Sequence, residues 1–320
     1  MILAICAELA SRMNSRPGDV AKEAEAIYNR LDQNKGRIGL FDDCDYLRGE
    51  SALLAGAACR LLGRRDDAEL WFDRAEAGYR HTINPVASLA RVSFERMAQH
   101  YDMHRYERVL AVVPSLMKTF ELLAMRRYEL KTRFLEAMAL KNLDRTADAL
   151  GRLEALPDTS YLAEDMTLYG MVVANRAELL SASGRSAEAI ETLRVALANG
   201  SLTSQPLVAA HLKVAAAEYL RRQNNLGLAA ELLRGAVGDY LALEMTTYVA
   251  YYRVLLAETL IALSRNREAE WEILAALPTI DSEKMVPEGF AALSLLRESV
   301  RRRTADVGAL RAVREQLQAK

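Results

Sequence analysis

Nothing in this 320-residue sequence is both long and apolar. No stretch reaches the ~18 uninterrupted apolar residues that a membrane-spanning helix needs. The opening MILAICAELA is apolar, but it carries Glu8, lacks a basic leader and is too short to cross a bilayer. Neither a signal peptide nor an anchor is expected there. Cysteine is scarce: Cys6, Cys44 and Cys59 are odd in number, widely spaced and form no C-x-x-C pair. That excludes a disulfide framework and predicts reduced thiols in a cytoplasmic protein. Net charge is almost absent, at -1 from 42 basic and 43 acidic residues. Without a basic excess nucleic acid is not an expected partner, and without a long apolar run neither is a membrane. Proline is also rare. Pro17, Pro85, Pro157, Pro206 and Pro287 fall between periodic segments, and Pro114 and Pro278 are expected at or near helix ends. The alternation of a β-strand is missing altogether, which excludes a sheet-based fold.

What remains is helix-forming sequence with alanine and leucine at i, i+3, i+4 spacings. Read at about 40 residues, small residues align. Ala68, Val109, Ala149, Ala189, Ala229 and Ala269 follow one another at steps of 41, 40, 40, 40 and 40. Seven residues on stand Ala75, Leu116, Leu156, Ala196, Ala236 and Ala276, and twelve residues before the first set stand Gly56, Met97, Ala137, Ala177, Ala217 and Ala257. Small residues at a fixed period predict two helices that approach closely in the same way in every unit. The fold class is therefore all-α, an α-solenoid of antiparallel helix pairs. Apolar residues four beyond the first set (Phe72, Val113, Leu153, Leu193, Leu233 and Ile273) are predicted to bury between the two helices. Met97, the large member of the small column, predicts looser packing in the second pair.

Each unit turns at Gly63, His104, Asp144, Gly184, Asn224 or Ser264, mostly residue types that end or cap helices. Turns this short force antiparallel packing. Residues 1–33 read as a divergent N-terminal helix pair, 34–43 as a connector, 44–284 as six repeats and 285–320 as a degenerate C-terminal capping repeat. About sixteen helices are expected. The arginine run at 301–303 suits the polar outer face that a terminal repeat needs.

These columns resemble the tetratricopeptide repeat (TPR). The best matches are GRSAEAIETLRVALANG at 184–200, with Ala177, Ala189 and Ala196, and GRRDDAELWFDRAEAGY at 63–79. The period is longer than that family's usual 34 residues, and Arg96, Glu136 and Arg176 stand where it favours leucine. Long-period arrays of this kind are similar to kinesin light chains and to sensor regions of bacterial regulators. The resemblance implies a right-handed superhelix whose first helices line a concave groove.

No phosphate-binding, dinucleotide-binding, nucleophile-elbow or H-E-x-x-H motif occurs, so no enzyme, cofactor or metal is expected. His100 and His104 share a helical face, but His100 falls in a packing column and His104 at a helix end. Asp42, Asp43 and Asp45 are read as caps of a helix starting near Tyr46. Function is sought instead on the groove face that the resemblance implies. One column there reads Met138, Glu178, Glu218 and Glu258, an expected ladder of like charges open to solvent. A second contains Glu50, Arg91, Lys131, His211 and Tyr251, and a third Arg60, Tyr101, Lys141 and Arg221, with Phe94 beside them. The expected partner is a peptide or protein segment of mixed charge, bound by a non-enzymatic scaffold. The alternative is the sensor or effector region of a bacterial regulator that responds to a peptide or protein signal.

Overall fold

A computed structural model describes residues 2–14, 16–33, 44–156 and 165–282. Among these residues all regular structure is helical. The helices are α1 (Ile2–Arg12), α2 (Pro17–Gln33), α3 (Cys44–Leu61), α4 (Arg65–Tyr79), α5 (Pro85–Asp102), α6 (Tyr106–Leu122), α7 (Arg126–Asn142), α8 (Thr146–Glu154), α9 (Met166–Ala182), α10 (Ser186–Ala198), α11 (Gly200–Thr203), α12 (Pro206–Arg222), α13 (Leu226–Ala242), α14 (Thr246–Ala262) and α15 (Asn266–Ser282). The short α11 has no counterpart in the repeat pattern. The expected connector at 34–43 and capping repeat at 285–320 lie outside the described residues. The chain divides into two compact units, residues 1–143 and 144–320. Within the first, α2 through α6 each pack on the next helix. Within the second, α8 packs on α9, α9 on α10 and α12, and α12 through α15 in succession. No described helix is long and apolar enough to cross a membrane.

The periodic columns explain this packing. Ala68, Val109, Ala149, Ala189, Ala229 and Ala269 are all 0% exposed. Phe72, Val113, Leu153, Leu193, Leu233 and Ile273 are all buried beside them. In the third column Ala137, Ala177, Ala217 and Ala257 are buried, and so is the larger Met97. Helices α5 and α6, the pair that carries Met97, share less close backbone contact than α3 and α4, the pair that carries Gly56. At Gly56 even a methyl group would sit 2.6 Å from the Phe72 ring. Here the pair closes further than alanine permits, which is why glycine stands in that place.

The turn inside each unit repeats one geometry. Gly63, His104, Asp144, Gly184, Asn224 and Ser264 all have positive φ, between 55° and 79°. At Gly63, His104, Gly184, Asn224 and Ser264 the amide of the following residue reaches back to a carbonyl five positions earlier, as in Arg105 to His100 and Arg185 to Leu180, both 2.9 Å. This is the Schellman closure that satisfies the last carbonyls of a helix. Ala124 and Glu244 make the same turn between units, at φ 52° and 57°. An unforeseen motif accompanies it. The residue after the turn is often arginine, bonded to an acid three positions on: Arg64–Asp67, Arg145–Asp148, Arg185–Glu188 and Arg265–Glu268. The acid sits in the first helical turn, where the macrodipole favours negative charge.

Two local expectations are corrected. Pro114 lies inside α6 rather than at its end, on an exposed position. There, the carbonyl it deprives of a partner can turn to water. Asp45 lies within the first turn of α3 and pairs with Arg48 at 3.0 Å. Asp42 and Asp43 fall outside the described residues.

Candidate functional site

The fourteen groove candidates lie on the first helices of their units: α3, α5, α7, α9, α12 and α14. None of them is fully exposed. Glu50, Phe94, Met138 and Glu258 are buried, and Arg60, Arg91, Tyr101, Lys131, Lys141, Glu178, His211, Glu218, Arg221 and Tyr251 are partly buried. Phe94 and Met138 belong to the core, Phe94 standing edge-on to Tyr128 at 5.3 Å between ring centres. They are apolar side chains that the close approach of neighbouring helices covers.

The polar members bond to one another across successive first helices. Arg91 on α5 grips the Glu50 carboxylate of α3 with both terminal nitrogens, at 2.5 and 3.1 Å. Its Nε donates to the Tyr128 hydroxyl of α7 at 3.2 Å. The Tyr79 hydroxyl of α4 donates to the same Glu50 oxygen at 2.7 Å. Burial, and next the Glu50 charge, push the Tyr79 hydroxyl well above the usual phenol range, so it remains a donor. Arg60 donates to Glu95 at 3.2 Å and to Asp102 at 2.6 Å, both on α5. Asn142 donates to the Tyr101 hydroxyl at 3.1 Å, and Lys131 lies 6.0 Å from the centre of the Tyr128 ring.

In the second unit the expected open ladder of three carboxylates is corrected. Glu258 is 1% exposed and accepts from Arg221 Nη2 at 2.7 Å. The other terminal nitrogen of Arg221 reaches both Glu218 oxygens at 3.3 Å. A carboxylate that leaves water must be paired, and one arginine neutralises two rungs. Glu178 is partly buried on α9.

Residues outside the candidate set complete this face. Tyr240 of α13, 0% exposed, makes a hydrogen bond with His211 Nδ1 at 3.1 Å and stacks on Tyr248 and Tyr252 with ring centres 5.2 Å from each. Burial raises the hydroxyl pKa values of both Tyr240 and Tyr252. The column reading carried a usable signal for some of these bonds. Glu50 and Arg91 are opposite charges 41 residues apart in one column. Arg221 and Glu258 are 37 apart, one unit less one helical turn. Nothing in the columns pointed to Tyr240, which sits on a second helix.

No three potential metal ligands converge at His100 and His104 or elsewhere among the described residues. The His104 Nδ1 lies 2.6 Å from the Tyr106 hydroxyl. Chemically, the first helices of each unit carry paired charges, hydroxyls and aromatic edges.

The chain matches no family model and no curated protein sequence.

Proposed function

We propose that this chain is a non-enzymatic binding scaffold: a TPR-like α-solenoid, wound as a right-handed superhelix, that holds a peptide or protein segment against the face of its first helices. The observation that carries this reading is the partly buried polar side chains on the first helices of each unit. Bonds of Arg91 to Glu50, of Arg60 to Asp102 and of Arg221 to Glu258, and the one between Tyr240 and His211, hold them in fixed geometry. Groups that are already oriented lose little further freedom when a ligand arrives, which favours binding. Charge complementarity sets the direction of the bound segment.

The pairing of Glu258 changes the choice of test. Reversing a buried, paired carboxylate damages the fold, so Glu258→Lys reads stability rather than binding. Glu178→Lys and Glu218→Lys are the usable reversals, because both side chains are partly exposed. A partner is first isolated from the native host by unbiased pull-down and its affinity measured by titration calorimetry. The double reversal should weaken binding at least tenfold with an unchanged circular dichroism spectrum. Parent-like affinity in a folded double variant would move the site off this face.

A further inference from the structure

Two neighbouring turns of the first unit carry an unusual surface. The α4–α5 turn exposes Ile83 at 87% and Val86 at 57%, and the α6–α7 turn exposes Leu122 at 77% and Leu123 at 39%. Both turns join a second helix to the next first helix, so they emerge at the same end of the unit. Helices α5 and α7 pack against each other, and Arg91 of one bonds Tyr128 of the other. The two tips therefore lie side by side at that end of the unit.

The fold does not require these side chains. The α13–α14 turn, 120 residues on, makes the same positive-φ geometry, at Glu244 in place of Ala124. There Ala242 replaces Leu122, and Leu243 is tucked in at 4% exposed, against 39% for Leu123. Thr246 stands where the first unit has Arg126. So the α6–α7 turn is the more aliphatic and more basic of the two, although Leu241 beside the α13–α14 turn is also 49% exposed.

The charges around the tips are mostly basic. Lys118 and Arg127 are exposed, and Arg80, also exposed, is paired with Glu76. The nearby acids are engaged: Glu76 with Arg80 and Arg96, Glu121 with Arg133, and Glu129, buried, with Arg126. Aliphatic tips flanked by arginine and lysine fit a layer that is apolar inside and anionic at its surface. A second copy of the chain fits less well, because a stable dimer covers about 800 Å² on each partner, more than four side chains at two turn tips supply.

We propose that the Ile83/Val86 and Leu122/Leu123 tips insert into the interfacial layer of an anionic lipid bilayer, with the flanking basic residues on the headgroups. No spanning helix is needed for such adsorption. It also revises the expectation, drawn from the lack of an apolar run, that no membrane is involved. The proposal is independent of the binding reading for the first-helix face.

Vesicle sedimentation of the whole chain tests it, with phosphatidylcholine vesicles and with phosphatidylcholine/phosphatidylglycerol vesicles at low salt. The chain should bind the anionic vesicles at least tenfold better than the neutral ones, and binding should fall as salt rises. Ile83→Glu with Leu122→Glu should weaken it at least tenfold, whereas Leu241→Glu, in the corresponding turn of the second unit, should not. All four wild-type tip side chains are substantially exposed, and an unchanged melting temperature verifies that the double variant folds. No binding to anionic vesicles overturns the proposal, as does undiminished binding by the folded double variant. Lipid-free self-association that the double variant abolishes assigns the edge to a second copy instead, and also overturns it.

Discussion

Ala124 occupies the left-handed region at φ 52° without the freedom of glycine. A left-handed conformation costs an L-residue roughly 1–2 kcal/mol. Ala124→Gly should therefore raise stability by up to about 1 kcal/mol, the remainder being offset by glycine's greater freedom when unfolded. Urea unfolding of the two proteins measures this; a loss of stability would mean that the side chain itself matters at the turn. His100 and His104 supply a second residue-level prediction. Burial, then Arg108, Arg105 and Arg96, hold His100 below the usual histidine value, and burial, then Arg65, does the same to His104. A histidine whose folded pKa is depressed is kept neutral by the fold. Its contribution is present above about pH 6.5, the unfolded value, and is lost as pH falls toward the lower folded value. Melting temperature should thus drop between pH 7.5 and 5.5, and drop less in His104→Gly. An equal drop in that variant would place the acid sensitivity elsewhere.

The pairing of one element with the next rests on two kinds of contact. The first is apolar and close. Ala217 of α12 is 0% exposed within the cluster that includes Ala229 and Leu233 of α13. Ala217→Leu should overpack this seam and cost roughly 1–3 kcal/mol; an unchanged melting temperature would show that the seam can open freely. The second contact is the buried link from α3 to α5. Glu50→Ala would leave Arg91 buried without its carboxylate and should cost about 3–5 kcal/mol. Adding Arg91→Met should recover much of that loss, because the unpaired charge goes with it. If the double variant is as unstable as the single one, the Tyr79 and Tyr128 hydroxyls, left without partners, dominate instead.

Packing in each unit runs mainly between helices that are neighbours in sequence. In a linear repeat array stability would be a sum of local terms and damage would spread only to adjoining helices. Hydrogen exchange of Ala217→Leu should accordingly show lost protection in α12 and its packing partners α9 and α13, with α3 and α4 as protected as in the parent. Uniform loss from end to end would mean that the chain unfolds as one body and would count against a linear array.

The sequence by itself determined whatever repeats. The 40-residue columns marked the buried seams, because a close helix contact admits only small side chains wherever it recurs. The six turn residues were legible for a related reason: the chain must reverse once per unit, and few residue types end a helix well. Only the tertiary structure decided which of the periodic side chains are available. Glu258 reads like Glu178 and Glu218 in its column, yet Arg221 reaches it and shuts it from water. Likewise Leu123 and Leu243 are one residue type in matching turns, one exposed and one covered. Exposure and pairing depend on what stands opposite in space. A column holds only equivalent places along the chain, so it cannot carry the identity of the group across from each.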